Sequence, residues 1–349
     1  MPDLILYWRP FLSGFFLSIF FIFSILFWSK RVNLKNSSLR RGERHLHSVK
    51  VSRWGGVAVF LAFLLTVLFD PNLVITRDIG AILAGGSLIF FLGVWDDVWE
   101  LKWTKQLFFQ ILAVVIFFIF GATAFNFLNF GTEFLYWREG IQILGIFLGI
   151  VWILILINAM NWLDGIDGIS GGISLIACLT IFLLSLKPEV NQPPVGILSI
   201  ALGASILGFL IFNFPPAKIM LGSGGVFLIG FVLAGLSVFA GAKVATALLI
   251  LFIPILDFFG VIFKRWRKGK SIFDPDREHL HHKLLEIGWS QRKINWFFYA
   301  VTAGVALAAL HTRDFQKVII LSLLAGGMTV FYFFVNQKRE LTGDKKIKN

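Results

Sequence analysis

One cysteine, Cys178, stands in a chain of 349 residues, and it lies inside an apolar run. That excludes a disulfide framework and a cysteine-based metal site. Charge is scarce as well. Only 15% of residues are Asp, Glu, Lys or Arg, against about a quarter in an ordinary soluble domain. Acids are the rarer sign, 20 against 32 Lys and Arg. Low-complexity stretches and obvious internal repeats are missing too. What fills the chain is hydrocarbon: 57% of residues are hydrophobic, 40 are Phe and 12 are Trp, and the mean hydropathy is +0.80. Such a composition suits lipid as solvent, so dividing the length into soluble domains does not apply. The net charge of +12 is then loop charge that sets topology before it is a footprint for nucleic acid.

A transmembrane helix needs about 20 mostly apolar residues. Eleven candidate spans are centred near Phe20, Leu61, Leu88, Ile116, Ile150, Leu179, Ser205, Leu233, Leu251, Ala303 and Leu324. Short lengths and glycine-rich borders blur the sixth, eighth and ninth. Phe11–Trp28 has no basic segment ahead of it and is followed by Lys30 and Arg31, which predicts a retained first span rather than a cleaved signal peptide. Residues 29–53 carry eight Lys/Arg, residues 264–294 carry nine and the tail after Val335 carries five. With the N-terminus outside and an odd span count, one side collects 25 of the 32 basic residues, and the positive-inside rule makes that side cytoplasmic. The expected fold class is therefore all-α, a polytopic transmembrane helical bundle of about 11 spans. Its N-terminus is outside and its C-terminus cytoplasmic, residues 1–349 form a single integral domain, and 264–294 form a cytoplasmic loop with room for structure of its own.

Four polar segments break the apolar pattern, all on the assigned cytoplasmic side. Asp96 and Asp97 close the third span. Adjacent carboxylates suit a hard cation such as Mg²⁺, whose shell is often completed by substrate phosphates, although a solvated helix end paired with Lys102 and Lys105 would read the same way. Residues 158–172 hold Asn158, Asn161, Asp164 and Asp167 with four glycines. The first three recur every third residue and so neighbour one another on a helix, and the glycines let backbone approach a ligand. A plain interhelical turn would need far less. Around Arg277, His279, His281, His282 and Lys283, imidazoles could take Zn²⁺. The surrounding basic residues fit phosphate or a sugar diphosphate better, or anionic lipid headgroups. Gly222-Ser223-Gly224-Gly225 opens the eighth span; as a phosphate cradle at a helix N-terminus it is a weak signal, and structure alone is the plainer reading.

Together, from about His47 to Gly288, these segments resemble the polyprenyl-phosphate N-acetylhexosamine-1-phosphate transferases. The Asp-Asp pair corresponds to Asp96 and Asp97, and the Asn-rich, Asp-Gly signature to Asn158, Asn161, Asp164 and Asp167. The His motif is His279-Leu280-His281-His282, similar to the branch that takes UDP-N-acetylglucosamine. Gly55-Gly56, Pro254 and Asp257 fit as well. Two departures stand out. The family's Gly-Asp-x-Gly-Ser signature reads Gly222-Ser223-Gly224-Gly225-Val226 here, so its acid is replaced by Ser223. The prolines usual after the first-loop histidine are absent after His47.

The resemblance implies phosphoryl transfer from a UDP-sugar to undecaprenyl phosphate at a bacterial plasma membrane, with the active site cytoplasmic. It implies Mg²⁺ (or Mn²⁺) held by Asp97 and Asp167, with Asp96 positioning or deprotonating the lipid phosphate. Asn158, Asn161 and Asp164 would orient nucleotide and metal-bound water. Arg277, His279, His281 and His282 would engage the sugar diphosphate, Lys105 the lipid phosphate, and Gly222 and Ser223 would border the substrate. The expected partners are undecaprenyl phosphate, UDP-N-acetylglucosamine or a related UDP-sugar, membrane lipids and a second copy in a homodimer; nucleic acid is not among them. A relative that binds without catalysis is the alternative that Ser223 motivates. A transporter is disfavoured because the acids sit at span ends, not near the midplane.

Overall fold

The computed structural model describes residues 5–31, 51–121, 138–239, 244–271, 278–312 and 314–347. It is helical, in the order α1 (Ile5–Arg31), α2 (Gly55–Leu68), α3 (Arg77–Trp99), α4 (Trp103–Gly121), α5 (Arg138–Leu163), α6 (Ile169–Ser185), α7 (Pro193–Asn213), α8 (Gly222–Phe239), α9 (Val244–Ile250), α10 (Phe252–Arg267), α11 (Leu280–Glu286), α12 (Gln291–His311) and α13 (Asp314–Ile347). Among the described residues there is no named strand; a lone parallel bridge joins Ser52 and Ile219.

Eight of these helices are long and apolar enough to cross a membrane, nine if the pair α9 and α10 counts as one span. The other two expected spans, α2 and α6, are apolar but have 14 and 17 residues. At 1.5 Å per residue they reach only about 21 and 26 Å, against roughly 30 Å of hydrocarbon. The ninth expected span is not straight: α9 and α10 meet at Leu251 with a bend of 76°. Pro254 supplies the reason. A helix running through would bring the Ile250 carbonyl against the proline ring and leave it without a donor. The break turns α10 so that Asp257, Lys264 and Arg265 come to the His motif. The 264–294 loop is accordingly shorter than it looked, because α10 runs to Arg267 and α12 begins at Gln291, with α11 between them.

The centre of the bundle is α8, buried along 222–238 and packed against α2, α3 and α5. Lipid gives helices no hydrophobic reason to associate, so close packing through small residues does that work. A methyl group on Gly93 would fall 2.4 Å from the Gly224 Cα, and one on Gly56 would fall 2.4 Å from the Gly225 nitrogen. The backbones of α3 and α2 therefore touch the first turn of α8. The segment before α2 is pinned to the same place: Met220 N–H donates to Ser52 O (2.7 Å) and Gly55 N–H to Met220 O (2.9 Å). Large exposed apolar side chains such as Phe91, Phe108, Ile119 and Phe147 face outward, as a lipid-solvated surface requires.

Candidate active site

The four polar segments converge at one end of the bundle. Asp96, in the last turn of α3, is 1% exposed. Its Oδ1 accepts from Leu101 N–H (3.0 Å) and Gln106 Nε2 (2.6 Å), and its Oδ2 accepts from Ser223 Oγ (2.9 Å). Three donors hold this carboxylate in a fixed orientation. Asp97 Oδ2 accepts from Gly224 N–H at 3.3 Å, beside Gly222, which takes a positive φ of 75° as α8 begins.

Asn158 donates to Gln110 Oε1 and to the Leu154 carbonyl, both at 2.8 Å. Asn161 is half-buried on the same helix. Just past the end of α5, Asp164 accepts a hydrogen bond from Ser170. Burial pushes its carboxyl up to about 6; Ser170 and the charge of Arg53 oppose this, and the charges of Asp97 and Asp167 add to it. Asp164 thus feels the charges of two further acids and one guanidinium. Asp167 is buried, and its Oδ2 accepts from Ala217 N–H (3.0 Å).

The His motif closes the other side. His279 Nδ1 faces Asp257 Oδ2 at 2.8 Å, and Asp257 Oδ1 accepts from Leu280 N–H at 2.9 Å. Asp257 therefore starts α11 and fixes the His279 ring in one step. Trp162, from the Asn-rich segment, meets His279 edge-on (5.4 Å) and carries Arg265 over its face (4.9 Å). His281, 1% exposed, stacks on His279 with centroids 5.7 Å apart and lies 4.3 Å from His282. Burial, then the charges of His282 and His279, hold it well below the usual imidazole range. A methyl group at Gly165 would come within 2.1 Å of His281 Nε2, so the Asp-Gly turn and the His motif are in direct packing.

Sequence reasoning found the acids, the asparagines and the histidines but only some of the groups that hold them. Lys105 lies on the exposed face of the first turn of α4, while its neighbour Gln106 reaches Asp96. Asn213 accepts from Gly168 N–H (2.9 Å) and donates to Ile219 O (2.8 Å), and Asn295 donates to Asp167 O (2.7 Å). Tyr299 donates to Gly168 O. These three residues fix the loop 164–168, and nothing in their local sequence marks them. Arg277 and His47 lie outside the described residues.

A hard divalent cation fits this donor set. Asp97, Asp164 and Asp167 offer only oxygen. Among the described residues no group of three or more His, Cys, Asp or Glu side chains is placed to hold a metal ion by itself. Mg²⁺ is ordinarily held by one or two carboxylates with waters and substrate phosphates completing its shell, so an open set suits it.

A buried carboxylate cluster, a basic and imidazole-lined rim and a lipid-facing scaffold together define a membrane-embedded enzyme site for phosphorylated substrates. Residues 79–241 match the family described as glycosyl transferase family 4. The chain is 32% identical to a decaprenyl-phosphate N-acetylglucosaminephosphotransferase of Mycobacterium tuberculosis (strain CDC 1551 / Oshkosh), over 82% of this chain and 79% of that one. It is 30% identical to a probable undecaprenyl-phosphate N-acetylglucosaminyl 1-phosphate transferase of Bacillus subtilis (strain 168), over 90% and 87%. It is 28% identical to the undecaprenyl-phosphate alpha-N-acetylglucosaminyl 1-phosphate transferase of Escherichia coli (strain K12), over 84% and 81%. The chain belongs to glycosyl transferase family 4.

Proposed function

We propose that the protein transfers N-acetylglucosamine-1-phosphate from UDP-N-acetylglucosamine to undecaprenyl phosphate at the cytoplasmic face of a bacterial plasma membrane. An oxygen of the lipid phosphate attacks the β-phosphorus of the UDP-sugar. The bond from that phosphorus to the bridging oxygen breaks, and UMP leaves with the bridging oxygen. The observation that carries the reading is the convergence of Asp96, Asp97, Asp164 and Asp167 with His279, His281 and His282 at one end of a bundle whose flanks face lipid.

Phosphoryl transfer asks mainly for positioning and charge neutralisation. Asp97 and Asp167 would hold Mg²⁺, with Mn²⁺ as a substitute; bound there, the ion would neutralise charge on the diphosphate and the leaving group. Asp96, fixed by three donors, sets the geometry around the acceptor. Asn158 and Asn161 orient the nucleotide. His281, buried and neutral, donates its ring N–H to the sugar diphosphate, while Asp257 sets the tautomer and direction of His279.

The test uses purified protein in detergent with undecaprenyl phosphate, Mg²⁺ and radiolabelled UDP-N-acetylglucosamine. Label should enter the organic phase with stoichiometric UMP release, and at the same Mg²⁺ concentration Asp97→Asn should lower both. Binding of both substrates without transfer, in wild type and in Ser223→Asp alike, would reduce the protein to a binder.

A further inference from the structure

Arg53 belongs to a basic stretch whose charge is already accounted for by topology, yet its placement is not that of a surface residue. It lies on the short segment that the Ser52 and Gly55 backbone hydrogen bonds clamp to the start of α8, so its position is set by the bundle core. Its side chain lines a cleft between α2, α3 and α8, together with Val57, Phe90, Val94, Asp97 and Val98. Its Nε and Nη1 are buried and have no hydrogen-bond partner among the described residues. A guanidinium N–H removed from water without an acceptor is costly, and its forked donors match a phosphate in two parallel hydrogen bonds. Asp97 lines the same cleft, and a methyl group on Gly222 would meet both the Arg53 carbonyl (2.4 Å) and Asp97 Oδ2 (2.6 Å), so the Arg53 segment lies beside the acid cluster.

The walls decide which phosphate. A nucleotide diphosphate brings ribose and base, which need polar partners, whereas the cleft presents Val57, Phe90, Val94 and Val98. Val98, 37% exposed, forms its lip, and the same helix shows Phe91 and Trp95 to the outside. This lining matches the chemistry of an amphiphile with a phosphate head and a hydrocarbon tail, and with a free volume of about 10 Å³ the cleft must open to admit the head. Asp97 would repel a bare phosphate, so the positive charge of Arg53 is what lets one settle here.

We propose that Arg53 is the receptor for the phosphate of the lipid acceptor, binding it at the inner end of the α2/α3/α8 cleft while the tail leaves past Val98. This rests on the reading above that a lipid phosphate is the acceptor, and it gives that phosphate a place.

The experiment compares full-length wild type, R53A and R53K in detergent, with farnesyl phosphate and farnesol as probes of thermal stabilisation. Acceptor and UDP-N-acetylglucosamine KM values are measured in parallel. Farnesyl phosphate should stabilise wild type and farnesol should not. R53A should weaken farnesyl phosphate binding and raise the acceptor KM by about tenfold or more, the size expected for losing charge-assisted hydrogen bonds. The UDP-N-acetylglucosamine KM should stay within about twofold. If R53A does not fold, R53K decides, because it keeps the charge and loses the fork; a loss of at least about threefold is expected. Wild-type affinity in R53K and R53A, or a KM change on the UDP-sugar alone, overturns the proposal. Arg53-dependent binding of farnesyl phosphate without any sugar transfer would sink the transferase reading and leave the receptor standing.

Discussion

Ser223 Oγ donates a hydrogen bond to Asp96 Oδ2 across 2.9 Å, tying the first turn of α8 to the last turn of α3. The residue that replaces the acid of the family signature is therefore a donor to the buried first member of the Asp-Asp pair. A carboxylate in its place would meet Asp96 with like charge, where the hydroxyl meets it with a proton.

Ser223→Ala should leave Asp96, 1% exposed, one donor short, at a cost of about 1.5–3 kcal/mol; Ser223→Thr, which keeps the hydroxyl, should cost less. Ser223→Asp should create a carboxylate pair that shares one proton. Such a pair has a raised folded-state pKa, so its contribution to stability is present at low pH and lost as pH rises. Thermal melts at pH 5.5 and pH 8 should show the Ser223→Asp deficit widening with pH. A deficit independent of pH would mean the two side chains do not meet.

Metal removal should stop the reaction. With Asp97 and Asp167 as the holding carboxylates, EDTA should abolish transfer, and excess Mg²⁺ or Mn²⁺ should restore it. Asp97→Asn and Asp167→Asn should each raise the half-saturating Mg²⁺ concentration by about tenfold or more, since a carboxamide is a far poorer partner for a hard cation than a carboxylate. The check is a Mg²⁺ titration at saturating substrates. A drop in kcat with an unchanged metal requirement would take these residues out of the metal site.

Gly165 and His281 couple the Asp-Gly turn to the His motif. Because a methyl group would lie 2.1 Å from His281 Nε2, Gly165→Ala must push the ring from its seat. Misplacement by about 1 Å can cost around 100-fold in rate, so a loss of that order is expected. The double-mutant cycle is the decisive measurement: Gly165→Ala in a His281→Ala background should cost little, since the clash is gone. Additive losses would show that Gly165 serves some other purpose.

Much of this architecture was legible before any coordinates. Apolar run lengths located the helices, and in lipid a carboxylate has few places to be other than a span end or a site. Partnership was harder to see. Ser223 and Asp96 are 127 residues apart, and Asn213 and Asn295 look like ordinary residues of α7 and α12. Charge did not point to every partner: successive helical residues point about 100° apart, and beside the exposed Lys105 it is the uncharged Gln106 that reaches Asp96. Arg53 was hidden for the opposite reason, counted among eight basic residues of a loop while its own position is set by the backbone of α8. Hydropathy could not show the bend at Leu251, although Pro254, its cause, was in plain view.

The C-terminal helix should hold the His motif in place through charge, and acid should release it. Lys283 is fully buried, with Nζ 3.8 Å from the centroid of the Tyr332 ring and 3.5 Å from Glu278 Oε2. Burial and the charge of Lys264 lower its pKa to about 8, against Glu278. Glu278 also pairs with Lys264 and, at 3.3 Å, with Arg339 of α13, which reaches Glu286 of α11 as well. Burial alone would raise the Glu278 carboxyl; the Lys264 hydrogen bond, the charges of Lys283 and Lys264, and Arg339 outweigh it and bring it down to about 2. A carboxyl depressed in the folded state stabilises above its ordinary pKa of 4.5, and that contribution is lost as pH falls from there towards 2. At this partly exposed position, solvent screening leaves about 1 kcal/mol of it. Glu278→Gln should therefore melt lower than wild type at pH 7, and the two should converge as the pH approaches 2. Arg339→Ala, far along the chain from the histidines, should raise the UDP-N-acetylglucosamine KM more than it lowers kcat, because it frees α11 without touching the reacting phosphates. Melting curves for Glu278→Gln that stay parallel to wild type down to pH 2 would remove the carboxylate from this account. An unchanged KM in Arg339→Ala would mean that α13 packs against the motif without positioning it.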